Sequence, residues 1–278
     1  MKLPNLSYMM SVGELRYIQS YFEKPEYRNP DSEVGAFLTL SKRIRCMLRG
    51  TMLLSRSRAD PFYYYVLART RYYDQVFCDA AHDSLKTIVN VGCGSDTRAY
   101  RFARQLREEG VTVLECDQER AIRAKEQIAR RKWSTDHVKY VCVDLNDNVW
   151  LDFIRSLGEH ENQPILVIME GVSPYVCDDS FRSFLRLLAT SLRPGSAVAY
   201  DFKLRGMADA FGRSHEGQNL FRLPGNRQEI DDYHRELGFE LRHMELSSEL
   251  SRRVQPQLGT SFNEDCLVRL VTTGSVRP

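Results

Sequence analysis

Short apolar runs alternate with amphipathic stretches through the middle of the chain. Between residues 86 and 203, β-rich runs are separated by segments whose apolar residues recur at helical spacing. Strands that alternate with helices favour parallel pairing through right-handed crossovers. We therefore predict a parallel α/β sheet built from the runs KTIVNVG, TVLECD, KYVCVDLN, PILVIMEGV and SAVAYDF.

The flanking regions carry different patterns. Residues 1–84 show helical periodicity, and Pro61 is suited to the first turn of a helix. A polar, glycine-containing stretch at 206–225 predicts a substrate loop, and the helix RQEIDDYHRELG and two strands, FELRHMELS and DCLVRLVTT, follow it. The expected organisation is a helical cap at 1–84 and a sheet domain at 85–278.

Composition restricts the class of protein. With 278 residues, 42% hydrophobic and 27% charged, the chain is an ordinary globular one, and its net charge of +2 signals neither nucleic acid nor membrane binding. We find no run of about 18 apolar residues and no signal-peptide core. The seven cysteines form no C-x-x-C pair. We expect a cytoplasmic protein with reduced thiols, no disulfide framework and no metal site.

The first predicted strand runs directly into a glycine turn, Gly92-Cys93-Gly94. Such a turn places backbone N–H groups and a helix N-terminus beyond the strand, and glycine lets a ligand approach the main chain. A dinucleotide fingerprint requires a third glycine where Thr97 stands, and the Gly-Lys-Ser/Thr ending of a P-loop is absent. The G-x-G turn of S-adenosylmethionine (SAM)-dependent methyltransferases fits better, because SAM contains no pyrophosphate.

Acidic residues end the next two predicted strands. Asp117, about 20 residues after the turn, can accept hydrogen bonds from the ribose hydroxyls of an adenosine. It could instead be the N-cap of the following helix. Asp144 can accept from an adenine amino group, with Leu145 flanking the ring, or it is simply a loop-forming aspartate. The carboxyl ends of the strands place all these residues along one crevice.

Five phrases in this order, LARTRYYDQVF, NVGCGSDTRAYR, LECDQ, VDLND and MEGVSPYV, resemble the leucine carboxyl methyltransferase family of class I SAM-dependent methyltransferases. Within that family the chain is most similar to O-methyltransferases of polyketide and nonribosomal-peptide pathways, the nearest being those of microcystin-type clusters. YIQSYFEKPEYRNPDSEVGAF and YDFKLRGMADAFGR carry this narrower likeness. The resemblance implies a Rossmann-like, seven-stranded, mostly parallel sheet with an antiparallel insertion strand, DCLVRLVTT, and a helical N-terminal cap.

The resemblance also implies roles for individual residues. Arg69 would pair with the carboxylate of SAM, unless it is a surface arginine. Glu170, whose buried carboxylate needs a partner, would bind the amino end of SAM, or it is structural. Tyr175 would lie beside the methyl-transfer axis, or it belongs to the core. The expected cofactor-binding residues are Arg69, Gly92, Cys93, Gly94, Asp96, Arg98, Asp117, Gln118, Asp144, Leu145 and Glu170.

The reaction implied is methyl transfer from SAM to an oxygen, leaving S-adenosyl-L-homocysteine (SAH). An alcohol must lose its proton on the way, and Asp201 is the preferred base. His215 is expected to be a solvated loop residue and His234 an exposed helix residue. The expected acceptor is a hydroxyl of a natural-product intermediate, free or carrier-bound. The alternatives are carboxyl methyl-ester formation, intramolecular cyclisation of SAM, and SAM binding without catalysis. The sequence does not indicate an oligomeric state.

Overall fold

The computed structural model describes residues 10–83, 85–145, 149–160, 162–206, 220–256 and 261–274, without the side chains of residues 149, 159 and 160. The α-helices are α1 (Val12–Phe22), α2 (Leu40–Ser57), α3 (Pro61–His82), α4 (Arg98–Arg101), α5 (Ala103–Glu108), α6 (Glu119–Lys132), α7 (Val149–His160), α8 (Asp178–Ser191), α9 (Arg227–Glu236) and α10 (Ser247–Val254). The strands are β1 (Thr87–Val91), β2 (Thr112–Asp117), β3 (Val138–Cys142), β4 (Leu166–Met169), β5 (Ala197–Leu204), β6 (Arg222–Leu223), β7 (Phe239–Leu246) and β8 (Asp265–Thr272).

One mixed sheet organises the molecule, in the strand order β3-β2-β1-β4-β5-β8-β7, with β6 paired to β5. Strands β1 to β5 pair in parallel, and β8 is antiparallel to both β5 and β7. The predicted α/β class, the parallel core and the antiparallel insertion are confirmed. Among the α-helices and strands, the sequence did not predict the short strand β6 and the helix α10.

The cap helices begin where the sequence offers capping groups. Ser11 and Glu14 form a reciprocal capping box at the start of α1, and Asp60 caps α3, whose first residue is Pro61. Within the region of predicted helical periodicity, a 3-10 helix at Ser32–Phe37 precedes the Thr39 cap of α2. These caps fix where the three helices start.

The two faces of the sheet pack against different parts of the chain. Neighbouring residues of a strand point to opposite faces, so Ile88 and Val89 belong to separate clusters. The Val89 side packs with the later helices, including Phe184 of α8. The Ile88 side packs with the cap, including Tyr65 and Phe77 of α3. The cap therefore packs on one face of the sheet and shares that cluster with the strands.

Candidate active site

The glycine turn after β1 has the backbone conformation that the sequence suggested. Gly92 and Gly94 have φ angles of +66° and +39°, which favour glycine. A Cβ on Gly92 would lie 2.5 Å from Cγ2 of Val172, whereas the nearest atom to a Cβ on Gly94 would be 3.9 Å away. The N–H of Gly94 donates to Oδ2 of Asp117 at 2.7 Å. The turn is closely packed on one side and open on the other, where a ligand can approach the main chain.

A buried ion pair supports the turn from beneath. Lys125 of α6 pairs with Glu115 of β2, and both side chains are almost completely buried. The Lys125 ammonium also donates to the carbonyl oxygen of Cys93 at 3.2 Å. Burial raises the pKa of Glu115, while the lysine acts to lower it. This pair connects the turn to the sheet and to the helix behind it.

A cavity of about 210 Å³ opens beside the turn at the carboxyl ends of the central strands. Small-molecule sites usually measure about 300–1,000 Å³, so a nucleoside-sized ligand would extend beyond this enclosed part. Most of the sequence-predicted site residues line the cavity: Arg69, Gly92, Cys93, Gly94, Asp96, Glu170, Tyr175 and Asp201.

Asp117, Gln118 and Asp144 form a hydrogen-bonded chain next to the cavity without lining it. Oδ1 of Asp117 accepts from the N–H of Gln118 at 2.8 Å, and the Gln118 amide donates to Asp144 at 2.9 Å. The N-cap of α6 is Gln118, so the alternative that Asp117 caps this helix is wrong. Leu145, also outside the cavity, is buried. The predicted ribose and adenine contacts of these residues stay predictions.

Arg98 is buried beneath the cavity rather than exposed in it. Its guanidinium contacts Asp74 at 2.8 Å, Asp96 at 2.6 Å and Glu170 at 2.8 Å. Because the side chain is only 1% exposed, a direct cofactor contact is not open to Arg98, and this part of the sequence prediction is corrected. Although burial acts to raise it, the charges of Arg98 and Lys125 hold the pKa of Asp96 below its usual value. Arg98 positions two carboxylates that do line the cavity.

Glu170 follows β4 and already has charged partners in the protein. Its Oε1 lies 3.2 Å from Nε of Arg69, and its Oε2 lies 2.8 Å from Arg98. The expectation that a ligand must supply the partner of this carboxylate is therefore wrong. Burial acts to raise its pKa, yet the two guanidinium groups hold that pKa below the usual value. Glu170 consequently presents an ionised carboxylate to the cavity.

One face of α3 surrounds the carboxylate of Asp201. Residues 65, 69 and 73 are four apart, so Tyr65, Arg69 and Tyr73 share one side of the helix. They approach Asp201 with Tyr65 Oη at 3.5 Å, Arg69 at 3.0 Å and Tyr73 Oη at 3.4 Å. The N–H of Gly171 donates to the same carboxylate at 2.6 Å. Burial raises the pKa of Asp201, against the lowering effect of Arg69.

Lys203 and Asp265 also line the cavity, and the sequence analysis missed both. They are register partners on β5 and β8, and their charged groups lie 2.7 Å apart. Lys203 could have been found, because it is two residues after Asp201 and so shares its face of β5. Asp265 gives no such signal, since only the strand pairing brings it here. Tyr65 and Tyr73 were missed as well, although their spacing around Arg69 was visible.

Tyr175 ends a 3-10 helix at Ser173–Tyr175 and is 55% exposed while lining the cavity. The alternative that it is a core residue is therefore wrong. Its place at the cavity surface agrees with a role next to a bound acceptor, which stays a prediction.

The two histidines do not join the site. His215 and most of the predicted substrate loop, residues 207–219, lie outside the described residues. His234 is completely buried, so its predicted exposure is wrong, and it contacts the hydroxyl of Tyr200 at 2.7 Å. Tyr200 packs with the cluster on the face of the sheet opposite Asp201. Asp201, the preferred base, lines the cavity, whereas His234 does not.

Within the described residues, no helix has the length and apolarity to cross a membrane. No cluster of three or more His, Cys, Asp and Glu side chains suited to a metal ion occurs there either. A second cavity, of about 720 Å³, lies between α3 and the β7–β8 pair, away from the strand ends.

Comparison with known proteins finds similarity to methyltransferases. A relative from Mycolicibacterium smegmatis is 30% identical over 139 residues, which are 49% of this chain and 43% of the relative. Another, from Mycobacterium sp. strain MCS, is 28% identical over 206 residues, covering 72% of this chain and 80% of the relative. Both are named provisionally as SAM-dependent methyltransferases. The chain thus spans less than half the length of the first curated relatives it matches.

Among solved structures, the chain is similar to magnesium protoporphyrin IX methyltransferase from Synechocystis PCC 6803, crystallised with SAH. The TM-score is 0.48 at 13% identity, with 76% of this chain and 86% of the other covered. The model of the leucine carboxyl methyltransferase family matches residues 35–189. Since this match covers more than half of the 278 residues, the chain belongs to the leucine carboxyl methyltransferase family.

Proposed function

We propose that this chain is a SAM-dependent O-methyltransferase that methylates a hydroxyl of a polyketide or nonribosomal-peptide intermediate. The observation that carries the proposal is the position of Asp201, buried in the cavity wall with a raised pKa and close to the glycine turn. A base is needed for a hydroxyl and not for a carboxylate, which is ionised at neutral pH. Family membership and the names of the relatives support SAM as the methyl donor.

The residues present fit SAM as a ligand. The open side of the Gly94 backbone leaves room for a ligand against the main chain, and Glu170 offers a carboxylate to an ammonium group. Arg69 lines the cavity, with Nε 3.2 Å from Glu170 and Nη1 3.0 Å from Asp201, and its guanidinium is the cation suited to the ligand's carboxylate. Asp117 and Asp144 continue along the strand ends, on the side suited to the nucleoside.

When bound, SAM supplies a methyl group attached to a positively charged sulfur. Transfer of that methyl group to an acceptor hydroxyl would leave SAH, and the carboxylate of Asp201 would accept the proton of the hydroxyl. Holding the acceptor oxygen close to the methyl donor and aligned with it would supply much of the rate. Tyr65 and Tyr73 contact Asp201 at long distances of 3.5 and 3.4 Å, so an acceptor hydroxyl can compete for the same oxygens.

A second candidate is methyl-ester formation on a carboxylate. The observation that favours it is the name of the family, together with two cations in the cavity wall, Arg16 and Lys203. Both cations already have acidic partners, Asp31 for Arg16 and Asp265 for Lys203. For this reason we place hydroxyl methylation first.

The test of the cofactor is a calorimetric titration of the chain with SAM. We expect Arg69→Ala to weaken SAM binding by about tenfold or more, since it removes a charge-assisted pair. Arg71→Ala is the matched control, because Arg71 is exposed on the same helix and donates to the carbonyls of Glu26 and Arg28. Equal affinities for the two variants would remove the cofactor assignment.

The test of the reaction uses methyl-labelled SAM with paired acceptors. One pair is a 3-hydroxyacyl thioester and its 3-methoxy analogue, and the other is a carboxylic acid and its amide. Mass spectrometry should locate the label on the free hydroxyl oxygen only. Label on the carboxylate would favour the second candidate, and label on nitrogen or carbon would contradict both. Methylthioadenosine released from SAM alone would indicate cyclisation.

A further inference from the structure

One face of α2 collects exposed apolar side chains. Seven large hydrophobic residues are exposed in the described ranges, and five of them are on this helix. They are Leu40 (71% exposed), Ile44 (47%), Met47 (61%), Leu48 (80%) and Met52 (40%). Their spacing of four, seven, eight and twelve residues from Leu40 places them on one side, along about 18 Å of helix. Contiguous exposed apolar surface of this kind marks an interaction site.

The opposite face of α2 holds the helix firmly in this orientation. Cys46, Gly50 and Leu54 are buried. Phe22 of α1 lies so close to Gly50 that a Cβ there would be 2.3 Å from its ring. The apolar stripe (Leu40, Ile44, Met47, Leu48 and Met52) therefore cannot turn inward without losing this packing.

The charges on α2 have one sign. The helix carries five basic residues and no acidic one: Lys42, Arg43, Arg45, Arg49 and Arg56. Lys42 and Arg45 pair with Glu14 of α1, whereas the other three form no ion pair within the described part of the chain. Arg45, Arg49 and Arg56 are four and seven residues apart, so they follow one edge of the apolar stripe, while Arg43 lies at its other edge.

We propose that the apolar stripe of α2 and its arginine edge dock a partner protein. That partner presents an amphipathic α-helix with apolar side chains on one side and aspartate or glutamate beside them. Complementary charge would select and orient such a helix, while leucine, isoleucine and the adaptable methionines cover its apolar side. The inference does not depend on the reaction proposed above.

Two other occupants fit the surface less well. A second copy of α2 would bring five more basic residues and no acidic one to the contact. A lipid surface does not distinguish one edge of a helix from the other, whereas three of the four arginines of α2 lie along one edge. A partner helix with acidic residues along one edge matches the row of Arg45, Arg49 and Arg56.

The test uses the full chain and a fluorescent synthetic helix of about 18 residues, five turns, with leucine along one side and glutamate along one edge. We expect measurable binding by fluorescence anisotropy that weakens as salt is added. Leu48→Glu should weaken it by at least about tenfold, and Arg49→Glu by several-fold. Arg155→Glu, an equal charge change on exposed α7, is the matched control and should bind like the parent chain.

Each contrary result overturns the proposal. One such result is that the parent chain does not bind the acidic helix, and another is that it binds a helix with lysine in place of glutamate equally well. A third is that Leu48→Glu binds the acidic helix as tightly as the parent chain does. Binding of the chain to phosphatidylglycerol vesicles that is lost in Leu48→Glu would assign the face to a membrane. A dimer in sedimentation that the same variant dissociates would assign it to a second copy. Because Leu48 is 80% exposed, thermal unfolding of this variant should match the parent and exclude misfolding.

Discussion

Gly92 and Gly94 occupy the same turn under different constraints. Both have positive φ, so any other residue at either position is strained by about 1–2 kcal/mol. Only Gly92 also faces a neighbour, Val172, that a methyl group would strike. Gly94 is therefore required by backbone conformation alone, whereas Gly92 is required by both conformation and packing.

We predict that Gly92→Ala destabilises the chain more than Gly94→Ala does, because strain and the Val172 contact act together. Combining Gly92→Ala with Val172→Ala should recover about 0.5–3 kcal/mol as a coupling term. Urea unfolding measures this coupling in Gly92→Ala, Val172→Ala and the double variant, and Gly94→Ala gives the comparison. If both glycine variants lose the same free energy of unfolding, or if Gly92→Ala shows no coupling to Val172→Ala, packing against Val172 is not a reason for glycine at position 92.

Asp201 gives the prediction for activity at the residue scale. As a base it must be ionised, and burial raises its pKa, so methylation should slow as pH falls through a value above the ordinary one of about 3.9. Asp201→Asn should lower kcat by about 10²–10⁴-fold and abolish this dependence on pH.

The measurement is the pH profile of labelled methyl transfer, with Tyr73→Phe as the control that removes only a 3.4 Å contact to Asp201. A retained acidic limb in Asp201→Asn would show that another group is the base. A normal rate in that variant would fit a carboxylate acceptor instead.

At the scale of elements, two helices approach opposite faces of β5. Helix α3 brings Tyr65, Arg69 and Tyr73 to Asp201. Helix α9 brings His234 to Tyr200, and the ring Nδ1–H donates to the carbonyl of Ile230 at 2.6 Å. In this arrangement Nε2 accepts from the Tyr200 hydroxyl. Because side chains alternate along a strand, Asp201 faces the cavity on one side of β5, and Tyr200 meets His234 on the other.

We predict that His234 makes folding sensitive to acid. Burial lowers its pKa from the ordinary value of 6.5 to about 4, which means that the folded state favours the neutral ring. This stability is present above about pH 6.5 and is lost as pH falls towards 4, by about 3 kcal/mol. Urea unfolding at several pH values measures it.

His234→Gln is the control for this loss, since its side chain does not titrate. The stability of the parent should fall relative to that of the variant between pH 6.5 and 4. A constant difference across this range would mean that protonation of His234 is not coupled to unfolding.

At the scale of the whole molecule, the cap and the sheet share one core. Tyr65 and Phe77 of the cap pack in the same cluster as Ile88 and Leu166 of the central strands. Ion pairs cross the same boundary, among them Arg98 with Asp74. The predicted boundary between the cap and the sheet domain at residue 84 stays a prediction. The hydrophobic core continues across it.

We therefore predict that the cap and the sheet unfold together. Calorimetry should show one transition with equal calorimetric and van't Hoff enthalpies. SAM at about 100 times its Kd should stabilise the whole chain by about 2.7 kcal/mol and move that single transition upward. Two transitions, of which SAM moves only one, would show that the cap folds separately.

Several parts of the site were predictable because they depend on local pattern. The strand, the glycine turn and the acidic strand ends are contiguous in sequence, and parallel strands bring their carboxyl ends to one edge. Arg98 was misjudged because motif position does not show depth, and only packing puts its guanidinium beneath the cavity. His234 was misjudged because a helix with many polar residues still turns one side to the core.

The sequence by itself determined the family, the α/β class and the positions of the turn and the strand ends, since these follow from short-range periodicity and contiguous motifs. Only the tertiary structure decided which charges meet. Asp265 reaches the cavity through the pairing of β5 with β8, and Glu170 obtains Arg69 and Arg98 from two separate helices. The apolar stripe of α2 likewise became visible as exposed surface once α1 had covered the other face. These contacts join residues far apart in the chain, so they depend on how the helices pack and how the strands align, which local pattern does not specify.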